Sequence, residues 1–431
     1  MPDSIPTTSD IVIIGGGVAG LSTAMQLASR GASVTLLERE QLGNGSTGRA
    51  AGLLGQLRGT PAATRMLMDG VKVVAQLEER TGVEIFVQTG SLRVAETPER
   101  AGEIRDLVEM GRQIGFDIDH LTIDEVAQRL PYMQTDDLLD ACYCPTDGHL
   151  QPAELVSAYL TIGREQGVVY RSGCPVRDLE FSDGHVCGVV TDQGTISTRV
   201  VINAAGPWSY LVAGLADAPL QTAALGHVYL TTRPDDRHPV DRFSPAIRDR
   251  HLRLYSRPES GGLIVGRYGS EVVQHDMGSL PDDFDMSGLS VRPDDLHVAL
   301  LIDATKKRFP WIDERTPMTI TRGIMTFTPD GKPLCGKRSD IDGLFHCSGF
   351  CGHGIVQSPV IGVIMADLVL DGHTDYDIEA IHADRFFEHP ELQTRPDIEA
   401  ACGQMQAAYY GRIEDGGVGS TDNTSESEPT T

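Results

Sequence analysis

The sequence predicts an α/β fold that opens on a Rossmann-like dinucleotide-binding unit and continues into a β-rich middle. Two stretches carry that reading. Asp10–Glu40, DIVIIGGGVAGLSTAMQLASRGASVTLLERE, spells strand, glycine turn, helix and second strand, whereas Ala223–Gly269 supplies three strand-like runs without helices between them. The length of 431 residues, 40% of them apolar, suffices for one large domain or two interleaved ones with a substantial core.

Ile11–Ile14 is a short apolar strand, and Gly15, Gly17 and Gly20 follow it with G-x-G-x-x-G spacing. Ala19–Arg30 then reads as a helix with small and apolar residues on one face, ended by Gly31. Ser33–Glu38 is a second strand that closes on an acid. Gly15 permits the tight turn, Gly17 lets the backbone approach a pyrophosphate, and Gly20 lets helix and strand pack closely, with Val18 and Ala19 at the helix start facing the phosphates. Glu38 lies 21 residues after Gly17, with Arg39 beside it, where a carboxylate accepts hydrogen bonds from a ribose. The motif alone suits NAD or FAD. The next segment decides: GNGSTGRAAGLL (Gly43–Leu54) is rich in small and hydroxyl residues, so its amides, Ser46 and Thr47 can reach a second phosphate and a ribityl chain. No second G-x-G-x-x-G follows a strand, which argues against a pyridine-nucleotide-linked flavin reductase. FAD that takes electrons directly from substrate is the expectation.

Downstream, Thr60–Arg80, Pro98–Gly115 and Pro152–Gln166 read as helices, with Glu84–Val94 strand-like between the first two. Cys174–Val201 alternates like a β-meander with turns at Asp183-Gly184 and Gln193-Gly194, and ends in VINAAGPW (Val201–Trp208). Arg292–Phe309 reads as a helix and Thr319–Gly336 as a strand and turn. Gly343–Gly372 is strand, glycine-rich loop and helix, whose first amides can face an electron-rich ring. The tail from Gly411 is polar, acidic and expected to be disordered.

Composition narrows the partners. A formal charge of −25, from 61 acidic against 36 basic residues, argues against nucleic acid and anionic membranes. Lysine is confined to Lys72, Lys306, Lys307, Lys332 and Lys337; a salt-loving host and a GC-rich genome explain that equally. No apolar run reaches the roughly 20 residues of a spanning helix, and Met1–Asp10 lacks the regions of a signal peptide. The eight cysteines contain no C-x-x-C, so no metal site is spelled out, and unpaired thiols fit the cytoplasm.

In this order, GSTGRAAG (Gly45–Gly52), NAAGPW (Asn203–Trp208), TPDGKPLCG (Thr328–Gly336) and SGFCGHGI (Ser348–Ile355) resemble the D-amino-acid-oxidase-like superfamily of FAD enzymes, in its sarcosine oxidase and dimethylglycine dehydrogenase branch. The resemblance runs from about Asp10 to Asp371. It implies an FAD domain in segments 8–80, 149–215 and 335–375, interleaved with a substrate domain in segments 81–148 and 216–334 whose antiparallel sheet roofs the flavin. Residues 376–410 form a C-terminal extension and 411–431 the acidic tail. By resemblance, the site holds FAD with Arg49, Ala50, Ala51, Gly52 and Leu53, with the Val176 backbone at the adenine, with Ala205, Gly206 and Trp208, and with Gly352, His353, Gly354 and Ile355 at the pyrimidine end of the ring.

The departures are informative. Mammalian-type relatives attach FAD through a histidine where Arg49 stands, and monomeric sarcosine oxidases through a cysteine where Gly323 stands; FAD is therefore expected to be non-covalent. A carboxylate-binding lysine is replaced by Val356, and the arginine of glycine oxidases by Met325. His227 and Tyr229, in GHVYLTT, and Tyr255 match the dimethylglycine dehydrogenase branch, which implies that His227 and Tyr255 handle the amine proton. Arg49 would stabilise the reduced ring, and Arg257 and Arg322 are candidate anion binders. The function implied is oxidation of a secondary or tertiary N-methyl amine with release of formaldehyde, electrons passing to oxygen or an acceptor protein. Two alternatives stand beside it: a β-type subunit of a multi-subunit amine or proline dehydrogenase, and a D-amino acid dehydrogenase.

Overall fold

The computed structural model describes residues 5–277 and 296–409, so the acidic tail lies outside the described residues. Ile11–Ile14 is the centre of a six-stranded sheet. It pairs in parallel with Val34–Leu37 on one side and Val200–Asn203 on the other, and Val169–Arg171 and Leu344–Ser348 extend the parallel run. Leu334–Lys337 closes one edge antiparallel. Parallel strands are buried on both faces, which is why these read as unbroken apolar runs. Ile11 and Ile13 face the helices Val18–Ser29, Pro61–Thr81, Pro152–Glu165 and Gly354–Leu370, while Val12 and Ile14 face the opposite layer. That layer is a small antiparallel sheet of Val176–Ser182, His185–Thr191 and Gly194–Ser197.

The second large sheet has nine strands among the described residues, and one of its ten-residue strands is Ala223–Thr232. Met318–Phe327 pairs with it along its whole length, and on the other side follow Gly262–Arg267, Leu254–Glu259, Ala246–Asp249 and Ser91–Ala95. The expected three runs in Ala223–Gly269 are four strands, because the four-residue Ala246–Asp249 is paired in parallel with Ser91–Ala95 across a separation that local pattern does not register. Glu84–Val94 likewise resolves into Phe86–Val87 and Ser91–Ala95. The stretch expected as an extension contains the helix Arg395–Ala408, capped by Thr394 with proline in its first turn. Among the described residues no helix is long and apolar enough to cross a membrane.

Candidate active site

Where the two sheets meet, a cleft with about 370 Å³ of water-accessible space runs from the Gly15 turn to the His227 strand. That is the size at which small-molecule sites are found. Its first wall is the glycine turn. Gly15 has φ +115°, and a Cβ there would lie 2.3 Å from the Ala204 carbonyl oxygen; a Cβ on Gly20 would lie 2.1 Å from the Gly15 oxygen. A Cβ on Gly17 would meet only Thr47 Oγ1, at 3.3 Å, so the other side of Gly17 is open to the cleft. The Val18 amide donates to Thr47 Oγ1 at 3.1 Å, with Ala19 behind it in the wall. Glu38 accepts from the Gly16 amide at 2.8 Å and from the Glu40 amide at 2.9 Å, which leaves lone pairs on both oxygens for ribose hydroxyls.

The flanking segments close round this turn. Asn203 pins the start of the AAGPW turn, its Nδ2 donating to the Ser209 carbonyl at 2.8 Å and its Oδ1 accepting from the Ala205 amide at 3.3 Å. This holds Ala205, Gly206 and Trp208 in the cleft wall, where Arg39 stacks 4.1 Å from the Trp208 ring. Val176 lines the same end. Arg49, Ala50, Ala51, Gly52 and Leu53 line the middle, opposite Gly352, His353, Gly354 and Ile355 at the start of the helix Gly354–Leu370. His353 caps that helix without a side-chain bond to it, its Nδ1 instead 2.8 Å from the Tyr409 hydroxyl. Ser46 differs from expectation: its hydroxyl donates to the Ile324 carbonyl at 2.5 Å, tying the loop to the Met318–Phe327 strand.

The cleft thus offers an uncapped helix start, a ribose-facing carboxylate and a second helix start at its far side. Those residues fit an FAD, and an elongated one. Arg49 and Gly323, where the sequence resemblance places the two attachment positions, are adjacent: a Cβ on Gly323 would lie 3.4 Å from Arg49 Cβ and Cδ. Neither is a nucleophile.

The roof comes from the nine-stranded sheet. His227 Nε2 lies 2.8 Å from the Tyr255 hydroxyl, and its ring stacks on Tyr268 with centroids 4.6 Å apart. Burial, helped by the nearby His297, pushes the His227 pKa down to about 4, so the ring is neutral at physiological pH. The register explains the contact. Tyr229 stands opposite Gly266, and Gly266 opposite Tyr255, so the three share one face. The missing side chain of Gly266 is where the Tyr255 ring lies; a Cβ there would sit 2.1 Å from its Cζ. Gly266→Ala is therefore expected to displace Tyr255 and slow flavin reduction as much as Tyr255→Phe does. Wild-type reduction rates in Gly266→Ala would show that the ring has room.

Two expected anion binders do not reach the cleft. Arg257 is 3% exposed and its donors serve the protein: Nε to the Ala51 carbonyl, Nη1 to the Pro258 carbonyl at 2.8 Å and to Glu259 at 2.5 Å. It positions the Ala51 segment. Arg322 stands opposite Val228, one residue out of phase with the Gly323–His227 pair, so strand alternation turns it to the face away from the cleft. Met325 does line the cleft, its Sδ 3.8 Å from the Tyr268 hydroxyl. Three roof residues escaped the sequence reading: Tyr268, Tyr409 behind His353, and Arg248, which lines the cleft from the short strand Ala246–Asp249.

Residues 10–368 match the family described as DAO, FAD dependent oxidoreductase. The chain belongs to this family. It is an FAD-dependent oxidoreductase, with FAD as its cofactor. Similar proteins include human mitochondrial sarcosine dehydrogenase, 30% identical over 91% of this chain and 43% of that protein. The 4-methylaminobutanoate oxidase (formaldehyde-forming) of Paenarthrobacter nicotinovorans is 29% identical over 96% and 50%. The chain spans about half the length of these relatives. Glycine oxidase of Geobacillus kaustophilus has the same fold, with a TM-score of 0.74 at 25% identity over 88% of this chain and 99% of that one. L-proline dehydrogenase from P. horikoshii aligns with a TM-score of 0.79 at 24% identity, over 89% and 99%.

Proposed function

We propose that the chain oxidises a C–N bond of a secondary or tertiary amine, an N-methyl amino acid or a related N-methyl amine, with formaldehyde as the product of demethylation. The observation that carries this reading is the His227–Tyr255 pair, 2.8 Å apart in the roof of an FAD-family cleft. The names of the sarcosine and 4-methylaminobutanoate relatives support it.

FAD, when bound, supplies a two-electron acceptor for hydride from the carbon next to the amine nitrogen. The residues of this chain then have three tasks. Tyr229, Tyr255, Tyr268 and Met325 form a wall, largely apolar, that strips water from the amine and favours its neutral form. The neutral His227 ring and the Tyr255 hydroxyl take up or orient the proton that the amine must lose before its lone pair can assist hydride departure. Arg49, half-buried at the middle of the cleft, stabilises negative charge that develops on the cofactor. Water hydrolyses the iminium product to the demethylated amine and formaldehyde.

Anaerobic bleaching of the flavin by a panel of N-methyl amines, imino acids and D-amino acids tests the reading. Bleaching by N-methyl compounds with stoichiometric formaldehyde is expected; bleaching by D-amino acids or proline alone would overturn it. Turnover of the single chain with oxygen or an artificial acceptor is expected if it acts without a partner subunit. The cofactor is proposed to be tight and non-covalent, on the identities of Arg49 and Gly323. Acid precipitation should leave the yellow colour in the supernatant, and colour retained in the pellet would refute this. The eight free cysteines fit a reducing compartment, which we take to be the cytoplasm.

A further inference from the structure

Arg248 is 8% exposed, lines the cleft, and its guanidinium has no hydrogen-bond or ion-pair partner among the described residues. That sets it apart from its buried neighbours. Arg257 is engaged by two carbonyls and Glu259, Arg93 Nη2 donates to the Leu57 carbonyl at 2.6 Å, and Arg308 donates to Asp249, Asp137 and Glu96. A guanidinium largely withdrawn from bulk water, with only the cleft to supply its acceptors, is costly to leave without a counter-charge, and a ligand in the cleft can provide one.

Its position says which acceptor. Arg248 stands directly opposite Tyr255 in the antiparallel register, so the row Tyr229, Gly266, Tyr255, Arg248 crosses four strands on one face of the sheet. Directly opposite side chains start about 5 Å apart. The cation is thus the immediate lateral neighbour of the residue that contacts His227. Gly55 shapes its seat, since a Cβ there would lie 2.9 Å from Arg248 Nη2. Val356 and Met325, both also in the cleft wall, bring no charge to the site.

We infer that Arg248 binds the carboxylate of the substrate, which is therefore an N-methyl amino acid rather than a simple N-methyl amine. This rests on the amine-oxidation reading and narrows it. A planar fork of donors meeting a carboxylate gives a bidentate, charge-assisted pair, and such a pair selects for a tail that carries negative charge.

The test uses the FAD-loaded enzyme and two substrates that differ only in the tail, N-methylglycine and its neutral amide. In Arg248→Met, the second-order rate of anaerobic flavin reduction should fall on the order of 10²-fold for the carboxylate and less than about threefold for the amide. Arg248→Lys, which keeps the charge and loses the fork, should fall between. It also carries the comparison if Arg248→Met does not retain FAD. A second readout needs no turnover: an unreactive carboxylate, propionate, should perturb the flavin absorption spectrum of the wild type and do so only at much higher concentration in the variant. Equal losses for both substrates, or none for either, would overturn the assignment. If neither substrate reduces wild-type flavin, the amine reading fails instead, and the propionate titration still decides the role of Arg248.

Discussion

His227→Asn is expected to slow anaerobic reduction of the flavin by about 10²–10⁴-fold while leaving FAD bound. The argument starts from the ring's surroundings. His227 lies on the longest-paired strand of the nine-stranded sheet, Ala223–Thr232, in contact with Tyr255 through Nε2 and stacked on Tyr268. Its pKa, pushed down to about 4 by burial, keeps it uncharged across the range in which the enzyme would work. An uncharged ring neither repels an incoming ammonium nor holds a proton it would have to shed first. Asparagine preserves a polar group of similar reach but cannot change protonation state. The amine must then lose its proton to water, so the rate should keep rising to higher pH in the variant than in the wild type. A stopped-flow series over pH measures both effects, and unchanged rates would make the histidine a structural residue. The pair can also be tested as a unit. If His227 and Tyr255 act on one proton, His227→Asn combined with Tyr255→Phe should lose little more than the worse single variant.

The nucleotide end of this site was legible in the sequence because it is local. One glycine turn, one apolar strand and one acid, spaced within 31 residues of chain from Asp10 to Glu40, fix the positions of Gly15, Gly17, Gly20 and Glu38. The roof is not local. Arg248 sits in the four-residue strand AIRD, too short and too charged to show alternation, and its neighbours come from Ser91–Ala95 and Leu254–Glu259. No periodicity announces such a strand. Arg322 was misplaced for a related reason: a one-residue difference in register decides which face of a sheet a side chain takes. Only the observed pairing of His227 with Gly323 shows that Arg322 points the other way. Arg257 fails differently, since it shares a face with Tyr255 and its donors are nonetheless taken by Ala51, Pro258 and Glu259. Tyr409 was within reach. The T-R-P-D start of the helix before it is a readable cap, and that helix delivers Tyr409 to His353.

The roof also depends on a charged cluster outside the cleft, and Arg308→Leu is expected to destabilise the protein by about 3–5 kcal/mol. Arg308 has no exposed side-chain surface. Its Nε donates to Asp249 at 2.8 Å, its Nη1 to Asp137 at 2.9 Å and to the Gln134 carbonyl at 2.6 Å, and its Nη2 to Glu96 at 2.5 Å. Asp249, itself 0% exposed, would keep the Leu252 amide on Oδ1 and lose the guanidinium that faces its Oδ2, and that loss dominates. Because Asp249 follows Arg248 in one strand, the variant should also weaken selection for a carboxylate tail. Glu96 adds a pH dependence of definite sign. Burial, and then the adjacent Asp249, push its pKa up to about 9, so it is protonated in the folded chain and ionised in the unfolded one between the ordinary carboxylate range and that value. The folded state binds more protons throughout that window; the contribution of Glu96 is complete below it and lost as pH rises through it. Glu96→Gln mimics the protonated form, and its midpoint of thermal unfolding should fall less than that of the wild type between pH 5.5 and 8.5. An identical decline in both would mean that Glu96 is ionised in the fold.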